Sequence, residues 1–502
     1  MMTGLYSGAT GMKSMSTGLS VISNNVANLN TVAYKQDSTL YADLMSSYMT
    51  GSASTSVTTS QLGLGAAVGS VRTIFTQGGF ESSNSVTDLG IDGIGFFAVS
   101  NGSVTEYTRA GNFSFLSTGE LVDASGWNLM GYSITDGVKS SSLSPVVIDT
   151  SASGVGTMAA KATTSIVSCS QLGGLEDATT DAANPFFALA SSWNGTADPP
   201  LSESAYSYSQ AIQFYDSNGT LQNATIYYDL AGTDSGQTAV EYVVALDDPS
   251  LDGSSLAGTD AAGLLMAGTM TFSSAGELQS LTAFTPPSSG LPSDLANWNP
   301  ASLADGSPAF SVSIAGADTQ TIGLNMGLTL NGSTSAGLAN AAAAAANPSA
   351  IYAVDTSATA NSNKTNAYGD SLGQVYTFMD GYTTGSLQDI TVSTDGTITG
   401  KYSNGQNMDL YQIPLYRFNN EDGLQKTGDN HYAATKDSGA AQEGVAGTEN
   451  FGTINECALE QSNVDLATEF SNLIVTQRGF QMNSKVITTC DQLLQKALEL
   501  KR

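Results

Sequence analysis

Few side chains in this 502-residue sequence could do chemistry, and they are scattered. The single histidine, His431, would have to carry any histidine triad or metal cluster by itself, so it reads as a loop or surface residue. Cys169, Cys457 and Cys490 form an odd, widely spaced set that suggests neither a disulfide framework nor a metal site. In GLGLGAAVGS, Gly63, Gly65 and Gly69 miss the dinucleotide-binding spacing by one residue, without a βαβ unit or a suitably placed acid, and read as a turn entering a strand. The carboxylates of Asp92-Gly93, Asp380-Gly381, Asp395-Gly396 and Asp422-Gly423 are explained by turn formation. The expectation is no catalytic residue, no cofactor and no metal.

Composition narrows the partners. Lys+Arg 16 against Asp+Glu 45 gives a net charge of -29, which disfavours nucleic acid and anionic membranes. The charge is uneven: residues 1–35 hold Lys13 and Lys35 without an acid (+2), and residues 456–502 hold six acids and five bases (-1). The ends therefore sum to +1, leaving -30 between them. Nearly neutral ends suit close packing, and an acidic middle suits solvent. No apolar run is long enough for membrane insertion, and the first residues lack the pattern of a cleavable signal peptide. Taken alone, these features describe a cytosolic protein of about three domains.

The elements at the two ends are the most legible. Leu5, Met12, Leu19 and Val26 fall seven apart, each followed three residues later by Gly8, Met15, Ile22 and Leu29, a heptad seam of the coiled-coil kind. Gly4, Gly8, Gly11, Gly18 and the asparagines of SNNVANLNTVAYK each weaken such a helix by up to ~1 kcal/mol relative to alanine, so it needs partners. Leu459, Leu466, Leu473, Phe480, Ile487 and Leu494 repeat the device at the other end. Four residues after them stand Asn463, Phe470, Gln477, Ser484, Asp491 and Leu498. A seam interrupted by polar groups selects a register at some cost in stability.

Between the ends the text is β-like. Asn218-Gly219 and Asp395-Gly396 each read as hairpin turns, the first flanked by Ile212, Phe214, Ile226 and Tyr228, the second by Ile390, Val392 and Ile398. The expected fold class is α+β: coaxial N- and C-terminal helices form an inner stem from which antiparallel β-rich domains project. The expected divisions are a terminal helical domain (1–35 and 456–502) and an extended linker (36–70). An inner β-domain (71–160 and 368–455) and outer β-rich text (161–367) complete them, the latter one domain or two with 232–365 as an insertion.

The stretches GLYSGATGMKSMSTGLSVISNNVANLNTVAYK and LEQSNVDLATEFSNLIVTQRGFQMNSKVITTCDQLLQKALEL resemble the terminal motifs of the bacterial flagellar axial proteins, the rod, hook and hook-associated family. FTQGGFESSNSVTDLGIDGIGFFAV and FNNEDGLQKTGDNHYAATKDSGAA resemble segments shared by rod and hook proteins, and MDGYTTGSLQDITVSTDGTITGKYSNGQ is similar to the hook branch. The likeness spans roughly residues 1–165 and 368–502.

It implies a structural protein, not an enzyme. The subunit would polymerise with itself into the flexible tube that acts as a universal joint between rod and filament. Its further partners would be the distal rod protein, the hook cap protein, the hook-filament junction protein and the flagellar type III export apparatus. Export of unfolded subunits by that route replaces the cytosolic expectation with an extracellular one, and makes a helix that is weak alone an aid to passage. The polymerisation residues so implied are Leu5, Met12, Met15, Leu19, Ile22, Val26, Leu29, Leu466, Phe470, Leu473, Phe480, Ile487 and Leu494. Lys161 and Cys169, in KATTSIVSCS, are similar to the pair that forms a lysinoalanine crosslink in spirochaete members. Another axial protein, the distal rod or the junction protein, is the nearest alternative, and a secreted β-rich adhesin a more distant one. Length and the DGYTTGSL text favour the hook.

Overall fold

The computed structural model describes residues 2–499 apart from 45–46, 51–58, 136, 149–155, 180, 182–183, 288–290, 336, 354–356 and 449. Much of the Ser/Thr-rich linker text and the end of the C-terminal domain (500–502) lie outside the described residues. The chain forms two compact units, Met1–Thr157 with Ser386–Arg502, and Met158–Gly385.

The first unit is framed by its helices, Met2–Ala27 and Leu466–Glu499. The N-terminal helix stops eight residues short of the expected boundary at 35, because Asn25 and Asn28 turn their side chains onto the backbone. The C-terminal helix begins where Asp465 caps it, Oδ1 accepting from the N–H groups of Ala467 (2.8 Å) and Thr468 (3.2 Å). Leu459 therefore lies outside the helix, in the strand Ala458–Glu460, which pairs with Phe80–Ser82. The expected extended linker also differs: Asp37–Asp43 pairs antiparallel with Ala66–Thr73, from Asp37 opposite Thr73 to Asp43 opposite Ala66.

The body of this unit is a sheet drawn from both halves of the chain. Its main path runs Gly385–Val392, Thr397–Tyr402, Asn407–Gln412, Asn128–Thr135, Phe97–Ser100, Thr105–Thr108, His431–Ala433, Gln425–Gly428. Leu89, Ile91, Phe97, Leu129, Ile398, Ile413, Leu415 and Ile454 build its core. The expected Asp395-Gly396 turn is present, with Gly396 at φ 85° and Val392 opposite Ile398.

In the second unit, Tyr208–Tyr215 and Leu221–Asp234 form the expected hairpin, Gly219 taking φ 77° at its turn. The sheet continues through Gln237–Leu246 and Leu264–Phe272, both covered on two faces. One face packs with Phe310, Val312, Ile322 and Leu324 of a five-stranded sheet; the other is covered by Phe187, Leu189, Trp193, Trp298 and Ile351. Residues 232–365 are thus central to this unit, neither an insertion nor a second domain. Their strands looked weak because a strand buried on both faces loses the polar-apolar alternation that marks a one-sided one. Leu372–Met379 likewise pairs with Ser165–Leu172 in this unit, so the stretch from 368 to 385 is not part of the inner β-domain.

Candidate functional site

The two terminal helices pack antiparallel along a line of small residues. A Cβ added at Gly4 would stand 3.3 Å from Cys490 Sγ, at Gly8 3.0 Å from Ile487 Cγ1, and at Gly11 2.8 Å from Asn483 Nδ2. One added at Gly479 would stand 3.3 Å from Met15 Sδ. Gly8 and Met15 belong to this seam as expected, together with Gly4 and Gly11, whereas Gly18 and Asn25 face the first strand: a Cβ at Gly18 would meet the Tyr41 hydroxyl, and Asn25 bonds to Asp37. Leu5, Met12, Leu19 and Val26, one residue further on, flank it and stay half-buried, as does Leu29 beyond the helix end. Hydrophobicity cannot find a seam made of glycine; the signal was the spacing of Gly4, Gly8 and Gly11 themselves.

The C-terminal helix shows a similar offset. Leu473, Ile487 and Leu494 lie half-buried on the shared seam, with Thr476, Asn483 and Cys490 three residues after the heptad positions. The expected companions four residues on, Phe470, Gln477, Ser484, Asp491 and Leu498, are exposed, as are Leu466 and Phe480. A second apolar row therefore faces outward. Val475, Met482, Val486 and Leu493 recur at intervals of seven, four and seven, Val475 at 67% and Met482 at 71% exposure. This row was not expected from the sequence, because it falls between the chosen heptad positions.

At the root of both helices the chain ends meet a buried ionic cluster. Glu460 Oε1 accepts from Lys35 Nζ (2.5 Å) and the Gly78 N–H (2.9 Å), and Oε2 from Arg109 Nε (2.8 Å). Arg109 also donates to the carbonyls of Ile91, Gly93 and Gly95, and Lys35 to that of Thr76 (2.8 Å). Burial alone would raise the Glu460 pKa, but Arg109 and Lys35 hold it below the usual carboxylate value. For Lys35, burial and the nearby Arg109 outweigh Glu460 and lower its pKa.

The residues considered for chemistry are accounted for structurally. His431 is buried, contrary to the surface expectation, with Nε2 2.6 Å from Asp123 Oδ2 and Nδ1 3.4 Å from Glu106 Oε2. Both ring nitrogens face carboxylates, so neither is directed at a nucleophile. Among the described residues no group of three or more His, Cys, Asp or Glu could hold a metal ion. Cys169 is fully buried and burial pushes its thiol up to about 11, while Lys161 donates to Asp380 Oδ2 at 3.1 Å.

A subunit whose chain ends form a stem, with an unclaimed apolar row along it, has the organisation of an axial protein. Family models agree along the chain: "Flagella basal body rod protein" matches residues 5–35, "Flagellar hook protein FlgE/F/G D1 domain" 90–160, "Flagellar basal body protein FlaE D2 domain" 177–382 and "Flagellar basal body rod FlgEFG protein C-terminal" 456–500. The chain is 30% identical over 510 residues to the flagellar hook protein FlgE of Borreliella burgdorferi, covering 100% of each. It is 29% identical over 503 residues to that of Escherichia coli K12, covering 98% of each. The chain belongs to the flagellar hook protein FlgE family. It is a structural subunit of the flagellar hook, and no helix among its described residues is long and apolar enough to cross a membrane.

Proposed function

We propose that the subunits join into a helical tube through their terminal helices, and that this tube bends while transmitting torque from rod to filament. The observation that carries the reading is the outward row Val475, Met482, Val486 and Leu493, an exposed set of apolar side chains along one side of a helix whose other side is already packed. Such a row is stabilised by covering it, and a repeated head-to-tail contact that does not close a ring yields an open polymer. Leu5, Met12, Leu19, Leu466, Phe470 and Phe480 would add to the contact from positions beside the seam.

In the same reading, the distal rod protein receives the first subunit, the cap protein directs addition of later ones, and the junction protein follows the last. Subunits reach the growing tip unfolded through the flagellar type III export apparatus and work outside the cell. The strongly acidic middle of the chain suits weakly adhering, sliding contacts between outer units better than dry apolar ones.

The test is electron microscopy of purified full-length protein concentrated with a salting-out salt, beside Met482→Lys/Val486→Lys. Tubes from the parent and none from a folded variant are expected. Tubes of equal number from the variant would remove the outward row from the assembly contact.

A further inference from the structure

We infer that Glu460 is a register lock for assembly: with Lys35 and Arg109 it fixes the offset at which the two terminal helices leave the β-rich body. This rests on the polymer reading above and adds to it a residue that positions the helices without itself lying on an outward face.

Lys35 and Glu460 lie 425 residues apart in the chain, and both side chains are completely shielded from solvent. Arg109 belongs to the body, where its guanidinium is held by the carbonyls of Ile91, Gly93 and Gly95. Lys35 and Glu460 belong to the segments that lead to the helices. Glu460 holds the first of these twice, through its carboxylate and through its own carbonyl, which accepts from the Ala33 N–H at 2.7 Å.

Three residues on, Asn463 repeats the arrangement. Its Oδ1 accepts from the Gln36 N–H (2.8 Å), and its Nδ2 donates to the carbonyls of Ile74 (2.8 Å) and Thr76 (3.0 Å).

A one-residue slip would place Tyr34 or Gln36 against the carboxylate and leave Lys35 buried without an anion. Buried charges contribute little net stability when paired but penalise every arrangement that unpairs them, which makes them suited to selecting one register. The need for selection is visible in the helices. Their shared seam runs past Gly4, Gly8 and Gly11, where a Cβ would stand 3.3, 3.0 and 2.8 Å from the facing helix, so a shift along the axis that brought a larger residue there would clash and the offset has to be held. The apolar core of the body, centred on Leu89, Ile91, Phe97 and Ile413, includes neither Lys35 nor Glu460.

The test uses the full chain with Gly4→Cys and Cys457→Ser, so that the new thiol faces native Cys490, whose Sγ would stand 3.3 Å from a Cβ at position 4. Oxidised glutathione then closes a disulfide only when the helices are in register. Adding Glu460→Gln should slow closure at least tenfold and abolish tubes, while the thermal transition of the β-rich body is retained and Glu460→Asp recovers part of the rate. Lys35→Met, which keeps the Glu460 to Arg109 pair, is the second variant should the first not fold, and the same slowing is expected. Closure at the parent rate in the folded variants, or loss of the body's thermal transition in both, would overturn the lock. Should the parent close its disulfide yet form no tubes, the polymer reading fails, and the disulfide rates still decide whether Glu460 sets the register.

Discussion

Asn25 grips Asp37 with both edges of its side-chain amide, Nδ2 donating to the Asp37 carbonyl at 2.8 Å and Oδ1 accepting from the Asp37 N–H at 2.9 Å. The amide thereby takes the place of a neighbouring strand at the point where the chain leaves the helix for its first strand. Tyr34 Oη also donates to Asn25 Oδ1 (3.3 Å), and Asn24 Nδ2 donates to Tyr34 Oη (3.0 Å). The asparagines that lower the helix propensity of this motif are the groups that end the helix and direct the chain onward, which accounts for them without any need for a weak helix.

Replacing Asn25 with leucine keeps the branched outline at a larger volume but strands two backbone groups of the partly buried Asp37. The expected loss is about 2 to 4 kcal/mol of first-unit stability, from the cost of leaving buried polar groups unpaired. Urea denaturation of the full chain, followed by a probe in the first unit, measures it; a change below half of that would mean water satisfies Asp37.

At Gly8, intrinsic propensity and packing pull in opposite directions. Gly8→Leu should make an isolated peptide of residues 1–30 more helical, since glycine costs up to about 1 kcal/mol against better helix formers. In the full chain the same change meets Ile487 Cγ1, already 3.0 Å from where a Cβ would stand, and the Asn483 carbonyl at 3.4 Å. Amide exchange of the C-terminal helix should therefore speed up as peptide helicity rises. Equal or slower exchange would show that the seam has room.

His431 gives the first unit a pH dependence with a definite sign. Burial by itself would lower its pKa, but the hydrogen bond and charge of Asp123, with Glu106 and Asp429, outweigh that and raise it above 6.5. Trp127 closes the remaining side edge-on at 5.1 Å between ring centroids. A raised imidazole pKa contributes stability that is complete below pH 6.5 and is lost as pH rises through the folded value. The Asp123 carboxylate is shifted the other way: burial would raise it, but the contacts with His431 and the Trp127 and Ser125 N–H groups leave it lowered from 3.8. Its contribution is present above pH 3.8 and is lost in more acid solution. His431→Gln should flatten the alkaline slope of the urea midpoint, and an unchanged slope would assign it to another group.

The second unit should show a dependence of the same sign from an acid. Glu241 is buried opposite Asp229 on the neighbouring strand, with Oε2 accepting from the Leu189 N–H at 3.1 Å and Oε1 without a hydrogen-bond partner. Burial, reinforced by Asp229 and Asp177, raises its pKa well above 4.5. The folded state then holds the proton more tightly than the unfolded one, so the contribution is full below pH 4.5 and is lost as pH rises through the folded value. Glu241→Gln should raise the unfolding midpoint of this unit at pH 8 and leave it nearly unchanged at pH 4. A lower midpoint at pH 8 would show that the ionised carboxylate is stabilised in place.

The sequence by itself determined the periodic features: a heptad helix at each end, the hairpins at Asn218-Gly219 and Asp395-Gly396, and the acidic β-rich middle, together with the motifs by which the family is recognised. Each depends on residues close together in the chain, where spacing and turn chemistry act directly. The tertiary structure decided which side of each helix is the seam, because packing selects glycines that hydrophobicity ignores. It also joined residues 232–365 to one sheet sandwich, whose doubly buried strands carry no alternation to read. Above all it brought Lys35, Arg109 and Glu460 together and enclosed His431 between Asp123 and Glu106. A charge reveals its partner only when burial removes the competing water, and no local pattern announces a neighbour hundreds of residues away.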